Sequence, residues 1–258
     1  MRKMGHVHFV GAGPGNPELL TLRAARLLNE ADTVLYDALV GPEILKMIRP
    51  GARRISVGKR AGCHSMGQSE INRRLVSEAR RGGRVIRLKG GDPAIFGRLE
   101  EEVAALSAHG IGYDICPGIT AASAAAASAG VPLTLRGKVR GVRFLTTASC
   151  PEEPNDTAWG RLAGGEETLA FYMARSALVR IARRLAAAGM SSSMPVLIVE
   201  AVSMPQERIR AATLAEVGAG ALTADPAQPV LLMIGHALGA YADRKTSFTR
   251  VTALSHCA

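Results

Sequence analysis

The amino-acid sequence predicts an α/β protein made of two α/β domains, and three features support this fold class. Short apolar strands alternate with helical segments through the first 116 residues, the pattern of a parallel, doubly wound sheet. A Pro-Gly step at 117–118 and a helix of small residues interrupt this series. A second alternating series follows, and a chain of 258 residues that is 47% hydrophobic can bury a core for each series.

The first series contains predicted strands at Val7–Val10, Thr33–Tyr36, Arg54–Val57, Arg84–Leu88 and Tyr113–Cys116. A helix is predicted to begin with Asn16 as its N-cap and Pro17 at its first position, and to run to about Glu30. Two further helices are predicted over 69–81 and 98–109. Helices of this length between strands favour parallel strand pairing.

The second series begins with a predicted helix over Thr120–Ala129, which Gly130 ends. Strands are predicted over 142–147, 168–172, 195–201, 207–211 and 229–234, with a helix over 176–188. Two prolines and three acids predict a polar loop at Pro151–Asp156. We therefore predict an N-terminal α/β domain over 1–120, a C-terminal α/β domain over 121–243, and a disordered tail over 244–258.

The charge of the chain indicates an anionic partner. Lys and Arg number 32 against 22 Asp and Glu, a net charge of +10. Nucleic acid, an anionic membrane and a polyanionic small molecule are the classes to weigh, beside a basic surface that serves only solubility. The sequence has no run of five basic residues and no aromatic residues interleaved with basic ones, so it does not indicate nucleic-acid binding. No apolar stretch is long enough to cross a bilayer.

Cysteine and histidine usage indicates a cytoplasmic protein without a metal. The four cysteines (Cys63, Cys116, Cys150 and Cys257) lie far apart, and no signal peptide follows Met1, so reduced thiols are expected. The six histidines show no spacing typical of metal ligands.

The first loop that could carry chemistry is Gly11–Gly15, between a strand and a helix. Glycines let the backbone approach a ligand closely, and Asp37 ends the next strand. A dinucleotide-binding fingerprint would need a third glycine where Asn16 stands, and Pro14 stiffens the turn. A purely structural turn therefore explains this loop as well as a ligand site does.

Two further loops also follow predicted strands. Lys89–Arg98 combines a glycine pair with charged residues, and its Asp92 could accept hydrogen bonds from ribose hydroxyls. Pro117–Ala121 follows the fifth strand. Because all three loops follow strands of one parallel sheet, they are expected to converge on one crevice.

Several segments taken together resemble the tetrapyrrole methylase family over roughly residues 6–240. They are VGAGPGNPELLTLRAARLL, VLYDALV, VGKRAG, INRRLV, VIRLKGGDPAIFGR, PGITAASAAAASAGVPLT and TLAFYM. Within the family, they are most similar to the branch that acts on uroporphyrinogen III, in the form without an attached dehydrogenase module. The resemblance implies two α/β domains, S-adenosylmethionine in the cleft between them, S-adenosylhomocysteine as product, no metal, and a homodimer. It also implies transfer of two methyl groups, giving precorrin-2 in sirohaem and cobalamin synthesis.

The resemblance also assigns residues to roles. It places Asp37 as proton acceptor, Lys59 as proton donor and Arg98 in catalysis, with Glu101 and Arg136 binding substrate. The cofactor contacts that it implies are Pro14, Gly90, Gly91, Asp92, Ile95, Thr120, Ala121, Met173 and Val202. Simpler roles remain open: Asp37 as a turn cap, Lys59 and Arg98 as solvated cations, and Met173 as core.

These residue types suit the chemistry that the resemblance implies. An electron-rich pyrrole carbon attacks a sulfonium methyl group in line, so the main task of the enzyme is to align the reactants. The macrocycle must then lose a proton, which calls for a positioned base. Uroporphyrinogen III carries eight carboxylates, so arginines that grip carboxylates in pairs of hydrogen bonds are expected.

The chain departs from the usual family pattern at a few positions. Val202 stands where many members have Gly or Ala, Leu135 replaces a common histidine, and Leu99-Glu100 replaces a glycine pair. Ala148-Ser149 stands in place of the end of a TGH motif. Apart from Val202, these departures are expected on the substrate side of the site.

Four alternative functions remain open. They are a methylase of a later precorrin, an rRNA methyltransferase of the same fold, a non-catalytic tetrapyrrole carrier, and an NAD-dependent oxidoreductase. YD and VGKRAG oppose the first, and GAGPGN and LYDAL differ from the openings typical of the RNA branch. The glycine spacing opposes the oxidoreductase.

Overall fold

A computed structural model of the chain describes residues 5–58, 66–147 and 155–244. It divides into two compact units. The first unit extends to Ala124 and also includes Ala201–Glu207, and the second contains the rest of the chain. The division falls inside the small-residue helix, and the chain returns to the first unit for seven residues late in its course.

The first unit is built on a five-stranded sheet in which every strand pair is parallel. Along the chain, its strands are β1 (His6–Gly11), β2 (Thr33–Tyr36), β3 (Arg53–Ser56), β4 (Arg84–Lys89) and β5 (Tyr113–Cys116). In the sheet they lie in the order β3-β2-β4-β1-β5. The predicted strands of the first series and their parallel pairing are confirmed.

Helices cover both faces of this sheet, as the doubly wound pattern predicts. They are α1 (Leu22–Asn29), α2 (Pro42–Lys46), α3 (Gln68–Arg80) and α4 (Leu99–Ser107). Val10 lies in a core cluster with residues of α1 and α2, whereas its neighbour Phe9 lies in a cluster with residues of α3 and α4. Successive side chains of a strand point to opposite faces, so the connections after β1 and after β4 leave the sheet on opposite sides.

The prediction of one helix from Asn16 to about Glu30 is wrong. The Asn16 side chain accepts a hydrogen bond from the Glu18 amide at 2.9 Å, but it caps only a short 3-10 turn over Pro17–Leu19. Helix α1 starts afresh after Thr21, whose hydroxyl accepts from the Ala24 amide at 3.1 Å. Two capping residues compete in this stretch, and each opens its own segment. The short helix α2 was not predicted.

Helix α5 (Ala121–Ala129) agrees with the prediction, and Gly130 ends it with a φ of 64°. The second unit then adds strands β6 (Gly141–Thr146), β7 (Glu167–Tyr172), β8 (Pro195–Glu200), β9 (Arg208–Thr213) and β10 (Val230–Ile234). Its helices are α6 (Asp156–Ala163), α7 (Leu178–Ala187), α8 (Leu214–Gly218) and α9 (Gly239–Arg244). Helices α6, α8 and α9 were not predicted.

The second sheet is mixed, unlike the first. Its order is β6-β7-β10-β8-β9, with β6 and β7 parallel and the other pairs antiparallel. Trp159 stacks on Phe171 in its core, with a centroid distance of 6.4 Å, and the amphipathic helix α7 buries Ile181 and Leu185 in the same cluster.

Some predictions fall outside the described residues. These are the role of Lys59, the departures at Ala148 and Ser149, most of the loop at 151–156, and the tail from 245 onward. At the end of that loop, Asn155 caps α6 and Asp156 begins it. Within the described ranges, none of the helices has the length and apolar character needed to span a bilayer.

Candidate active site

The loops after β1 and β4 pair with each other through their backbones at the carboxyl edge of the first sheet. The Gly13 amide donates to the Gly91 carbonyl at 3.1 Å, and the Gly91 amide donates to the Gly13 carbonyl at 2.8 Å. The Ala12 amide adds a third bond, to the Lys89 carbonyl, at 2.8 Å. The structure thus brings two of the three predicted loops into direct contact.

The third loop closes on the other two through glycine backbones. A Cβ atom added to Gly118 would lie 2.3 Å from the Gly91 carbonyl oxygen, and one added to Gly11 would lie 2.6 Å from Gly118 Cα. Backbone atoms cannot move aside as flexible side chains can, so these positions require glycine. We call the contact of Gly11, Gly13, Gly91 and Gly118 the glycine junction.

Asp92 ties the glycine junction together. Its Oδ1 accepts from the Ala94 amide at 2.8 Å, and its Oδ2 accepts from the Gly118 amide at 2.9 Å. The sequence suggested ribose hydroxyls as its partners, but in this structure both carboxylate oxygens bind loop backbone. A carboxylate has about four acceptor positions, so Asp92 keeps the capacity to bind a ligand as well.

The returning segment Ala201–Glu207 lies against the β1 loop. The Asn16 amide donates to Ser203 Oγ at 3.0 Å, and a Cβ on Gly15 would lie 2.6 Å from Met204 Cγ. Val202, between two residues with left-handed φ, is buried in this segment. The first unit therefore places Val202 in a segment beside the β1 loop, which carries Pro14. The other two loops carry Gly90, Gly91, Asp92, Ile95, Thr120 and Ala121.

Two predicted site residues lie in the second unit. Met173 follows β7 with a left-handed φ of 54°, and 49% of its surface is exposed, which argues against a core-filling role. Arg136 is exposed in a tight turn closed by paired hydrogen bonds between Leu135 and Val139. Each position leaves its side chain available to a ligand.

Asp37 belongs to a network of four charged side chains that was not predicted from the sequence. Arg87 Nη2 donates to Asp37 Oδ1 at 2.6 Å, and Arg87 Nε donates to Glu102 Oε1 at 3.0 Å. Lys89 Nζ donates to Glu102 Oε2 at 2.9 Å. We call Asp37, Arg87, Lys89 and Glu102 the buried charge network, because the last three are almost fully buried.

A signal for this network was present in the sequence. Arg87 and Lys89 alternate with the apolar residues Ile86 and Leu88 in a strand whose last five residues are all buried. Cations at such positions are rare unless they are paired. Burial lowers the pKa of Lys89, and the nearby positive charge of Arg87 lowers it further, while the Glu102 carboxylate opposes both effects.

Arg98 and Glu101 form an ion pair at the surface. Arg98 Nε lies 2.6 Å from Glu101 Oε1 and Nη2 lies 2.9 Å from Oε2, and this hydrogen bonding raises the pKa of Arg98. The predicted helix over 98–109 begins one residue later than expected. Arg98 precedes α4 in a left-handed conformation with a φ of 52°. The Arg98 side chain is exposed.

The departure at Leu99 has a structural explanation. Leu99 begins α4 and packs, partly buried, against the core cluster that contains Phe9 and Leu35. Its side chain therefore fills space under the helix, whereas Glu100 is exposed, and the expectation that this departure lies on the substrate side stays a prediction.

A separate charged cluster lies toward the amino end of β1. No metal spacing is visible in the sequence, but strand pairing brings His6, His8 and Asp114 close enough to hold an ion. Arg23 Nη2 already binds Asp114 Oδ1 at 3.0 Å. Burial raises the pKa of Asp114, but His8, His6 and Arg23 outweigh it and hold that pKa below its usual value. Arg23 is the permanently charged partner of this carboxylate.

Comparison with known proteins places the chain in a family. The family described as Tetrapyrrole (Corrin/Porphyrin) Methylases matches residues 6–218. The chain therefore belongs to the tetrapyrrole methylase family, as the motifs of the glycine loops predicted.

Individual relatives refine this placement. A uroporphyrinogen-III C-methyltransferase of Paracoccus denitrificans is 47% identical over 90% of this chain and 81% of its own length. Siroheme synthase 1 of Yersinia enterocolitica is 47% identical over 91% of this chain. The chain spans only about half of that relative, 49% of its length, as it does for other curated siroheme synthases that it matches.

Solved structures share the fold over nearly the whole chain. The native uroporphyrin III C-methyl transferase of Thermus thermophilus is 38% identical, with a TM-score of 0.80 over 93% of this chain and 96% of that one. A uroporphyrin-III C-methyl transferase of the same organism, complexed with S-adenyl homocysteine, is 39% identical, with a TM-score of 0.77 over 91% and 93%.

Proposed function

We propose that this protein transfers methyl groups from S-adenosylmethionine to carbon atoms of uroporphyrinogen III, giving precorrin-2 after two transfers. The observation that carries this proposal is the glycine junction at the carboxyl edge of a parallel sheet, in a member of the tetrapyrrole methylase family. Ligands of open α/β sheets bind at this edge, where neighbouring connections leave on opposite faces. The product would serve sirohaem or cobalamin synthesis.

The glycine junction fits a bound nucleoside in two respects. Gly91 has a left-handed φ of 69°, and a Cβ built on it would meet no heavy atom within 4 Å, so the space beside its Cα atom is open. Leu39 and Phe96, near the same loop, are exposed apolar side chains suited to a ligand with an apolar face. We assign the cofactor contacts to Pro14, Gly90, Gly91, Asp92, Ile95, Thr120, Ala121, Met173 and Val202.

The residues of the chain divide the reaction between them. S-adenosylmethionine supplies an electrophilic methyl group when it is bound. Asp37 accepts the proton that the methylated macrocycle loses, Lys59 acts as proton donor, and Arg98 with Arg136 binds carboxylates of the substrate. Glu101 holds the Arg98 guanidinium until a substrate carboxylate replaces it. No part of this assignment requires a metal.

Product mass provides the direct test of this function. Anaerobic incubation with uroporphyrinogen III and S-adenosylmethionine is expected to add two methyl groups, and methyl transfer should persist in the presence of a metal chelator. Activity only with a later precorrin, or with RNA, would assign the chain to another branch of the fold. Substrate binding without turnover would indicate a carrier.

Asp92→Ala should weaken the binding of S-adenosylhomocysteine at least tenfold, measured by calorimetry without tetrapyrrole. The substitution removes the hydrogen bond to the Gly118 amide, which joins two of the loops, and the bond to the Ala94 amide within one loop, and a charge-assisted bond contributes about 1.5–3 kcal/mol. Asp92→Asn keeps one acceptor oxygen and should lose less. Asp156→Ala, at an exposed residue of the second unit, serves as control and should bind normally.

An unchanged affinity in Asp92→Ala would remove Asp92 from the cofactor site. Binding of NADH by the wild-type protein would instead support the oxidoreductase alternative, since no tetrapyrrole methylase chemistry requires that cofactor.

Arg98→Ala should reduce methyl transfer roughly tenfold to hundredfold, the effect of losing one charge-assisted pair with a substrate carboxylate. S-adenosylhomocysteine affinity should stay within about twofold. The fold should be retained, because arginine and alanine meet similar strain at this left-handed position and the ion pair to Glu101 is exposed. Lys46→Ala, which breaks another exposed ion pair of the first unit, is the matched control. Near-normal turnover would return Arg98 to a solvated surface role.

We also propose a cytoplasmic homodimer without a nucleic-acid or membrane partner. The surplus of basic residues, +10 in net charge, is assigned to the polyanionic substrate. Two-fold dimers are the commonest soluble oligomers. Light scattering at micromolar concentration should give twice the monomer mass of 27.1 kDa, and a monomer would contradict the proposal.

A further inference from the structure

We propose that Arg87 is a positioning residue that acts through Asp37, fixing the carboxylate that accepts the proton. The inference rests on the proposed function, in which Asp37 is the base. It adds a residue to that site which the motif assignments do not include. It also explains why a charged network lies in the core of the first unit.

Three hydrogen bonds hold the Arg87 guanidinium in one position, and we call this arrangement the Arg87 bracket. The guanidinium donates through Nη2 to Asp37 Oδ1 at 2.6 Å, through Nε to Glu102 Oε1 at 3.0 Å, and through Nη1 to the Leu88 carbonyl at 3.2 Å. All three nitrogens are therefore bonded, and only 2% of Arg87 is exposed. A planar group held at three points has one orientation.

Asp37 presents one oxygen to this bracket and one away from it. Its side chain is 28% exposed, although Oδ1 is bound to a buried cation. Among the residues that the structure describes, no donor is hydrogen-bonded to Oδ2. A base held through one oxygen, with the second directed outward, has the geometry that proton abstraction requires.

The charges of the network balance when Asp37 is ionised. Arg87 and Lys89 carry two positive charges, and Glu102, fully buried, carries one negative charge. Asp37 supplies the second negative charge. Gln68 adds a hydrogen bond to Glu102 Oε1 at 3.3 Å, which completes the coordination of that carboxylate.

Stability alone does not account for such a network. Buried ion pairs are often no more stabilising than apolar side chains of similar volume, because removing the charges from water is costly. The rest of β4 between these cations is apolar and well packed. Asp37 is the only member of the buried charge network whose side chain is substantially exposed. We therefore infer that the network serves to fix the orientation of the Asp37 carboxylate.

The proton transfer that Arg87 supports is balanced. A C–H bond of the methylated macrocycle breaks, its electron pair enters the ring system, and an O–H bond forms on Asp37. Arg87 keeps its protons throughout and holds the same hydrogen bond to Oδ1. Asp37 then releases the proton to water.

A double-mutant cycle tests the inference. Arg87→Lys keeps the charge but cannot bind Asp37 and Glu102 in one plane, so kcat should fall roughly tenfold to hundredfold. KM for uroporphyrinogen III and the affinity for S-adenosylhomocysteine should change less than about threefold. In the Asp37→Asn background, Arg87→Lys should have little further effect, because the group through which it acts is gone.

Arg53→Lys is the matched control. Arg53, in strand β3, binds the buried Glu78 carboxylate at 2.7 Å, and in the described part of the chain no hydrogen bond or ion pair joins it to Asp37, so this variant should keep wild-type kcat. Should Arg87→Lys fail to fold by circular dichroism, Glu102→Asp takes its place. It withdraws the carboxylate from Arg87 Nε and should show the same selective loss of kcat.

The results distinguish a failure of the role proposed for Arg87 from a failure of the proposed function. The role of Arg87 would be overturned if the effects of Arg87→Lys and Asp37→Asn on kcat multiplied in the double variant. It would also be overturned if Arg87→Lys had the same kcat as Arg53→Lys. Either result would leave the proposed function intact. A wild-type protein that yields no methylated uroporphyrinogen III would overturn the proposed function, and the inference with it.

Discussion

Asp37→Asn is expected to lower the overall rate of product formation by about 10²–10⁴-fold, the usual contribution of a positioned general base, here to the proton loss that follows methyl transfer. Asparagine has the same shape, and its amide oxygen can still accept the hydrogen bond from Arg87, so the network should keep its geometry. The lost property is the ability to take a proton. Single-turnover product formation under anaerobic conditions measures this effect.

The design of this experiment separates chemistry from folding. S-adenosylhomocysteine affinity should remain near the wild-type value, because Asp37 lies outside the glycine junction. Glu43→Gln, at an exposed residue of α2 that pairs with Lys46, is the control and should keep full activity. If Asp37→Asn retained most activity, another group would have to be the base.

Glu102→Gln should produce the largest loss of stability, about 3–5 kcal/mol in the free energy of unfolding. Glu102 is fully buried and balances the charges of Arg87 and Lys89. An amide at this position leaves two buried cations opposite the single remaining carboxylate of Asp37. Urea denaturation followed by circular dichroism measures the change.

Glu78→Gln provides a matched comparison for this loss. Glu78 is as deeply buried as Glu102, but its partners Arg53, Arg74 and Arg81 are at least 43% exposed, so water can solvate them after the substitution. We expect a smaller loss, near the 0–1 kcal/mol typical of surface pairs. Equal losses in the two variants would show that the buried cations of the network are not the cause.

The buried charge network illustrates a limit of sequence patterns. Lys89 belongs to the KGGDP loop motif, and Arg87 stands in the strand that precedes it, so both positions were visible. Glu102 lies 13 residues beyond Lys89, in the helix after the loop. Their pairing depends on how α4 packs against β4, and no local pattern specifies that packing.

The second unit shows the same limit for strand direction. The first half of the chain alternates strands and helices and forms a parallel sheet, whereas in the second half β8 and β9 follow one another without a helix and the sheet is mostly antiparallel. In the first half, each strand is followed by a connection that contains a helix and returns the chain so that the next strand runs in the same direction. In the second half, β8 and β9 are joined through residues 201–207, which pack with the first unit, and the strands pair antiparallel. The antiparallel pairs also join strands that are distant along the chain, such as β7 and β10, and local sequence patterns do not specify such pairing.

The sequence by itself determined the strands of the first sheet, the glycine loops at their ends, and the family. These features follow from local rules: apolar strands buried on both faces, glycine where backbones meet, and a specific order of short motifs. The tertiary structure decided that Asp92 holds the loops of the glycine junction, that Leu99 fills the core, and that Arg87 reaches Asp37 from a neighbouring strand. Those contacts join residues distant along the chain, so only the packing of the elements could fix them.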